Sequence, residues 1–160
     1  MLEKAVTDSA ARTIDALKVL LTTGHPLEVF AKLKFDMSGY HPTADRPLNL
    51  IEQINQTFTY FASIRAARWL LKHHPSAAPF KLNLGTVGGT DIESLDGSVA
   101  AETFASVDPK NNSKLEKDIA KVASTSAKYK YVFYICPSHP IAELASARGN
   151  AEVRVISLGW

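Results

Sequence analysis

Two acidic residues stand in unusual places in the stretch TDIESLDGSVAAETF, which runs from Thr90 to Phe104. Asp91 opens a strand-like run, and Glu102 lies inside a second, apolar run between alanines and a phenylalanine. Burying an unpaired carboxylate is costly, or it raises the pKa of the group until the group is neutral. A carboxylate kept in an apolar strand therefore requires a cation, a hydrogen-bond donor or a metal ion.

Hydrophobic periodicity predicts the elements that position these acids. The strongest helical pattern runs from 48 to 71, and we expect this helix to be central to the fold because its apolar residues share one arc: Leu50, Ile51, Ile54, Phe58, Phe61 and Trp69. Further helices are predicted at 7–22, 26–33, 108–124 and 139–150. Strands are predicted at 80–87, 90–97, 98–107, 129–136 and 151–160, with hairpin turns at Gly88-Gly89 and Asp96-Gly97 and an irregular loop at 34–47.

From residue 48 onward the predicted order is helix, three strands, helix, strand, helix and strand. This order, with one acid at the start of the second strand and another inside the third, resembles the PD-(D/E)xK nuclease family. Asp91 and Glu102 stand at the matching positions, whereas Phe104 stands where the family has a lysine. The resemblance implies an α/β fold with a three-layer, restriction-endonuclease-like αβββαβ core, in which helices flank a mixed sheet. We expect one domain over 1–160, with an N-terminal helical extension at 1–47 and the core at 48–160.

The resemblance also implies a reaction, the hydrolysis of DNA phosphodiester bonds, as in a restriction or defence endonuclease. Such cleavage needs a hard divalent cation, and Mg²⁺ is held by one or two carboxylates together with waters and substrate oxygens. By the resemblance, Asp91, Glu102 and the carbonyl oxygen of Thr103 bind one Mg²⁺ or Mn²⁺, and DNA is the partner. Glu93 is an additional candidate ligand, because it lies two residues after Asp91 and shares its face of the strand.

The lysine that Phe104 replaces needs a substitute, since the family lysine steadies the attacking water and the charge of the transition state. The predicted helix at 108–124 buries a stripe of three residues, Leu115, Ile119 and Val122. Lys114 lies about 110° from the centre of this stripe, Lys121 about 130°, and Lys117 almost opposite. We therefore expect Lys114 to be the catalytic lysine, with Lys110 in the preceding loop as second choice, although each such lysine taken singly is more often solvated.

Simpler roles stay open for the same residues. Asp91 is also suited to a strand end where it bonds to the glycine-rich turn, and Glu102 to a solvent-facing position, although its apolar flanks favour a buried one. Arg65 and Arg68 share the apolar arc of the helix at 48–71. They are placed to pair with either acid, to bind a phosphate, or to extend into water.

The composition of the chain agrees with a globular, intracellular protein. Its 160 residues are 46% hydrophobic and 21% charged, and its net charge of +2 permits a nucleic-acid partner without requiring one. The single cysteine, Cys136, excludes an intrachain disulfide framework and favours a reducing compartment. No apolar stretch approaches the roughly 20 residues of a membrane span, so we expect a soluble, cytoplasmic protein that does not bind membranes.

Two other functions stay open. The first is a non-catalytic protein of the nuclease fold that binds nucleic acid or protein, which Phe104 favours because an aromatic side chain supplies no charge. The second is a small enzyme of unrelated chemistry. The sequence also leaves open whether the chain forms a homodimer.

Overall fold

The computed structural model of the chain describes residues 1–22, 24–85, 88–144 and 152–160. These residues form two compact units, Met1–Phe61 and Ala62–Trp160. The helices of the described ranges are α1 (Leu2–Leu21), α2 (Pro26–Phe35), α3 (Leu50–His73) and α4 (Lys114–Ala123). None of the helices in these ranges has the length and apolar character needed to cross a membrane.

The first unit is organised around the buried side chain of Gln53 on α3. Its short strands, β1 (Gly39–Tyr40) and β2 (Pro47–Leu48), pair antiparallel inside the segment expected to be an irregular loop. Gln53 accepts a hydrogen bond from the backbone N–H of Tyr40 at 2.8 Å and donates one to the carbonyl oxygen of Ser9 at 3.1 Å. A glycine is needed at position 39, because a Cβ there would collide with Oε1 of Gln53.

The first part of α3 buries a different face from the one expected. Ile51, Ile54 and Phe58 are exposed, whereas Gln53 and Tyr60 are buried. A buried amide must keep its hydrogen bonds, so the partners of Gln53 on α1 and β1 determine which face turns inward. The expectation of an inward-facing apolar arc is therefore wrong for these three exposed residues.

The second unit contains a mixed sheet in the strand order β3-β4-β5-β6-β8-β7. The meander β3, β4 and β5 is antiparallel, β5, β6 and β8 run parallel, and β7 pairs antiparallel with β8. The strands are β3 (Phe80–Leu82), β4 (Ile92–Ser94), β5 (Val99–Ala105), β6 (Tyr129–Ile135), β7 (Ala142–Leu144) and β8 (Val153–Ser157). The α/β class and the mixed sheet flanked by helices are thus confirmed.

Both faces of β6 are covered, as its continuous apolar sequence predicts. On one face, Val132 and Tyr134 pack in a core cluster with residues of α4, including Ile119 and Val122. On the other face, the ring of Trp69 on α3 lies 5.4 Å from the ring of Tyr131 and 5.3 Å from the ring of Phe133. The sheet therefore separates a layer that contains α4 from a layer that contains the end of α3.

One predicted element is of the wrong type, and one predicted strand is shorter than expected. The helix expected at 139–150 is contradicted where it can be compared, because Ala142–Leu144 forms β7, and residues 145–150 lie outside the described ranges. Pairing with the open edge of β8 outweighs the helical propensity of this short segment. The strand expected at 80–87 ends at Leu82, and Thr86 and Val87 are likewise outside the described ranges.

Candidate active site

Asp91 and Glu102 are brought side by side by two neighbouring strands of the sheet. Asp91 directly precedes β4, and the register that pairs Ile92 with Ala101 puts Asp91 opposite Glu102 of β5. The backbone N–H of Asp91 donates a hydrogen bond to Oε1 of Glu102 at 3.2 Å. The fold therefore brings together the two residues that the resemblance matched to metal ligands.

The carboxylate of Asp91 is held by the strand beside it. Its Oδ2 accepts a hydrogen bond from the backbone N–H of Thr103 at 2.8 Å and another from the hydroxyl of Thr103 at 3.1 Å. The hydroxyls of Thr103 and Ser63 are themselves 2.7 Å apart, and both residues are buried. Asp91 is thus fixed to β5 at its amide and at its carboxylate, next to the third predicted ligand, Thr103.

Glu102 is buried and paired with a lysine. Its side chain is 3% exposed, and its Oε1 lies 2.7 Å from the ammonium of Lys121 on α4, a side chain that is 48% exposed. Burial raises the pKa of Glu102, an effect that the hydrogen bond from Lys121 opposes and that the charges of Asp91 and Asp118 reinforce. The buried acid therefore has the cationic partner that its apolar flanks required.

Lys121 is held as a cation by the acids around it. Burial lowers its pKa, but the hydrogen bond to Glu102 and the charges of Glu102, Asp91 and Asp118 outweigh this effect and raise the pKa. The site thus combines acids from the sheet with an ammonium group from the helix that covers it.

Lys114, the lysine preferred from the sequence, binds a different acid. Its ammonium lies 2.6 Å from Oδ1 of Asp118 and 5.9 Å from the ring centre of Phe104. The α4 helix begins near the carboxyl end of β5 and returns alongside it, because β5 and β6 are parallel. Lys121 follows Lys114 by seven residues, about 10 Å along the helix, and this displacement places it beside Glu102. The angle of a residue around the helix does not tell how far along β5 that residue lies.

Asp118 is a buried acid that the sequence analysis did not include. Its side chain is 5% exposed. Burial raises the pKa of Asp118, the hydrogen bond and charge of Lys114 oppose the rise, and the charge of Asp91 adds to it. The sequence does carry a signal for it: Asp118 stands three residues after Leu115 and four before Val122, a spacing that puts it beside the buried stripe of the helix.

Phe104 is part of the core rather than of the polar site. It is 4% exposed and packs with Ile119, Val122 and Tyr134, with its ring stacked 5.6 Å from the ring of Tyr134. A lysine at this position would place its stem in that apolar cluster. The departure from the family pattern is therefore built into the packing between β5 and α4.

The remaining candidate residues have other contacts. Glu93 holds the turn before β4, because its Oε1 accepts hydrogen bonds from the N–H of Thr90 at 2.9 Å and from the hydroxyl of Thr90 at 3.1 Å. The backbone N–H of Lys110 donates to Oδ1 of Asp108 at 2.9 Å, and its side chain is on the surface. The guanidinium of Arg65 donates to the carbonyl oxygen of Gly159 at 3.1 Å.

Within the residues that the structure describes, no three His, Cys, Asp or Glu side chains are arranged to hold a metal ion on their own. Asp91, Glu102 and the carbonyl oxygen of Thr103 are the groups that could do so together with waters. Comparison of the chain with protein-family models, with curated proteins and with solved structures found no match. Any function must therefore be argued from the site itself.

Proposed function

We propose that this chain is a metal-dependent nuclease that hydrolyses phosphodiester bonds of DNA at Asp91 and Glu102. The observation that carries the proposal is the buried Glu102, which meets Asp91 across two strands and an ammonium group from the covering helix. Isolated buried acids are rare, and an acid–lysine cluster of this kind is characteristic of functional sites. The proposal includes a restriction-endonuclease-like fold, DNA as the partner and a cytoplasmic location, and it leaves open whether the chain forms a homodimer.

The charges of the cluster fit a cation. With all groups ionised, the three acids Asp91, Glu102 and Asp118 face the two lysines Lys114 and Lys121, which leaves one negative charge uncompensated. The buried Oδ2 of Asp118 also has no hydrogen-bond partner within the described residues. Both features favour the binding of Mg²⁺ or Mn²⁺ by Asp91, Glu102 and the carbonyl oxygen of Thr103. A bound ion would lower the pKa of a water and neutralise charge on the phosphate.

The protein's own groups supply the rest of the chemistry. The hydrogen bonds from Thr103 hold the carboxylate of Asp91 in one orientation, so little reorganisation is needed when the substrate binds. The ammonium of Lys121 takes the part that we first assigned to Lys114: it donates to an oxygen of the attacking water or of the phosphate and stabilises negative charge there. Lys114 remains close by on the same helix, paired with Asp118.

The test is cleavage of supercoiled plasmid DNA by the purified full chain. We expect nicking with Mg²⁺ or Mn²⁺ that stops on chelation and that is abolished by Asp91→Ala. Glu116→Gln is the matched control, because it removes a carboxylate from an exposed position on α4. If Asp91→Ala cleaves the plasmid at the full rate, the assignment of Asp91 and Glu102 as a nuclease site is wrong.

A second function is favoured by one observation, the burial of Phe104 in the core where the family has its lysine. On this proposal the chain is a non-catalytic member of the fold that binds nucleic acid or protein. It predicts binding of a labelled DNA duplex without cleavage in either metal, with the same affinity in the wild type and in Asp91→Ala. Stoichiometric Mn²⁺ binding that is lost in Glu102→Ala would argue against it.

A further inference from the structure

The carboxylate of Asp118 has one bonded oxygen and one unbonded oxygen within the described residues. Oδ1 accepts the ammonium of Lys114 at 2.6 Å, whereas the buried Oδ2 has no hydrogen-bond partner there. Because the side chain is only 5% exposed, bulk water does not solvate this oxygen freely. Leaving a buried carboxylate oxygen unbonded is costly, so the oxygen requires a donor that the described residues do not supply.

The position of Asp118 connects that oxygen with the predicted cation site. Asp118 and Lys121 stand three residues apart on α4, so their side chains are neighbours on one side of the helix. The ammonium of Lys121 lies 2.7 Å from Oε1 of Glu102, and Glu102 accepts a hydrogen bond from the backbone N–H of Asp91. Asp118 therefore belongs to the same electrostatic cluster as the two strand acids.

A second unbonded acceptor lies beside Asp91. The backbone N–H of Asn83 donates to the carbonyl oxygen of Asp91 at 2.8 Å, and its side-chain Nδ2 donates to the carbonyl oxygen of Thr90 at 2.6 Å. Its Oδ1 is buried and has no hydrogen-bond partner within the ranges that the structure describes. Two buried acceptors near the strand acids thus lack a donor among the described residues, and a bound cation with its waters would supply one.

We propose that Asp118 is a third acid of the cation site formed by Asp91 and Glu102, and that its Oδ2 accepts hydrogen bonds from water on the bound ion. The inference rests on the proposed function. Mg²⁺ keeps several of its waters and is bound directly by only one or two carboxylates, so a third carboxylate meets the ion through those waters. Mutating a group that hydrogen-bonds to the ligands of a metal ion typically weakens binding of the ion by about 10- to 100-fold.

Isothermal titration calorimetry of the full chain with MnCl₂ tests this proposal. We expect Asp118→Asn to weaken Mn²⁺ binding about tenfold or more, while Glu116→Gln, which removes a charge from an exposed position of the same helix, changes the Kd by less than about twofold. Circular dichroism melts establish that each variant is folded before its titration.

The variant Lys114→Met distinguishes two roles of Asp118: binding the ion through its waters, and holding Lys114 in place. If Oδ2 of Asp118 serves the ion, removing the competing ammonium should tighten Mn²⁺ binding, opposite in sign to the effect of Asp118→Asn. If Asp118 acts only by holding Lys114, both variants should weaken binding alike, and the proposal is overturned. Because Lys114 is on the surface, this variant decides the question even where Asp118→Asn does not fold.

The failure of this inference is distinct from the failure of the proposed function. A wild-type chain that binds Mn²⁺ and cleaves DNA, with an unchanged Kd in Asp118→Asn, removes the role of Asp118 and leaves the nuclease assignment in place. If the wild-type chain does not bind Mn²⁺, both the role of Asp118 and the nuclease assignment are wrong.

Discussion

The ammonium of Lys121 lies 2.7 Å from Oε1 of Glu102, which joins a half-exposed lysine on α4 to an almost completely buried acid on β5. The contact crosses from the covering helix to the centre of the sheet. The ion pair compensates the charge of the buried Glu102. The same two residues therefore contribute both to stability and to the proposed reaction.

Lys121→Met should lower stability and activity together. The substitution keeps much of the stem but leaves Glu102 buried without its cation, and we expect a loss of about 1–3 kcal/mol in the free energy of unfolding, because Lys121 is partly solvated. Cleavage should fall at least about 100-fold. Urea denaturation and plasmid nicking measure the two effects. Lys117→Met, which removes an exposed lysine of the same helix, is the control and should change neither property. A larger loss of cleavage in Lys114→Met than in Lys121→Met would show that Lys114 is the catalytic lysine instead.

Phe104→Lys should not create a better nuclease, although it restores the lysine of the family pattern. Phe104 is buried against Tyr134 and α4, so we expect a loss of about 3 kcal/mol or more from the missing ring and the buried charge. Phe104→Leu, which stays apolar, should cost about 1–2 kcal/mol. Chemical denaturation compares the two variants. A stable Phe104→Lys protein with faster cleavage would show that the ammonium reaches the site from β5.

Gly89→Ala should be more destabilising than Gly97→Ala. Both glycines have positive φ, 99° and 71°, but a Cβ at Gly89 would lie 2.8 Å from Oε1 of Glu93, whereas a Cβ at Gly97 would meet nothing within 4 Å. We expect about 1 kcal/mol for Gly97→Ala from the positive φ alone, and about 1 kcal/mol more for Gly89→Ala, because Oε1 of Glu93 can move away only by giving up its hydrogen bonds from Thr90. Urea midpoints provide the comparison, and equal costs would mean that the Glu93 contact has no energetic weight.

Stability should fall on acidification because of His74. Its Nε2 lies 2.6 Å from the hydroxyl oxygen of the buried Tyr131, which also receives a hydrogen bond from Arg154 at 3.1 Å. Since Arg154 only donates to the phenol oxygen, the hydroxyl proton of Tyr131 stays available for an unprotonated Nε2 of His74 to accept. Burial, and then the charges of Arg154 and His73, lower the pKa of His74 below the ordinary value of 6.5.

The sign of the effect follows from that lowered pKa. As pH falls through 6.5, the unfolded chain takes up a proton at His74 before the folded chain does, so the contribution of His74 to stability decreases. It is fully lost below the folded pKa. The measurement compares the free energy of unfolding at about pH 7.5 and about pH 5.5, one unit on either side of the ordinary pKa. We expect the loss of stability between these two pH values to be smaller in His74→Gln than in the wild type. Exposed His25→Gln is the control and should behave like the wild type.

Local sequence determined the parts of this protein that depend on neighbouring residues alone. The apolar run of β6 predicted a strand covered on both faces, and the apolar flanks of Glu102 predicted a buried acid with a partner, because an unpaired buried charge is costly in any fold. The hairpin turn at Asp96-Gly97 predicted that the strand opened by Asp91 pairs with the strand that contains Glu102. These predictions agree with the structure.

Tertiary structure decided which distant groups meet. The angles of Lys114 and Lys121 around the helix differ little, and only the direction and depth of α4 along β5 place Lys121 at Glu102 and Lys114 at Asp118. Likewise, the hydrogen bonds of Gln53 to other elements, not hydrophobicity, select the buried face at the start of α3. Both outcomes depend on partners remote in sequence, and periodicity within one segment contains no information about those partners.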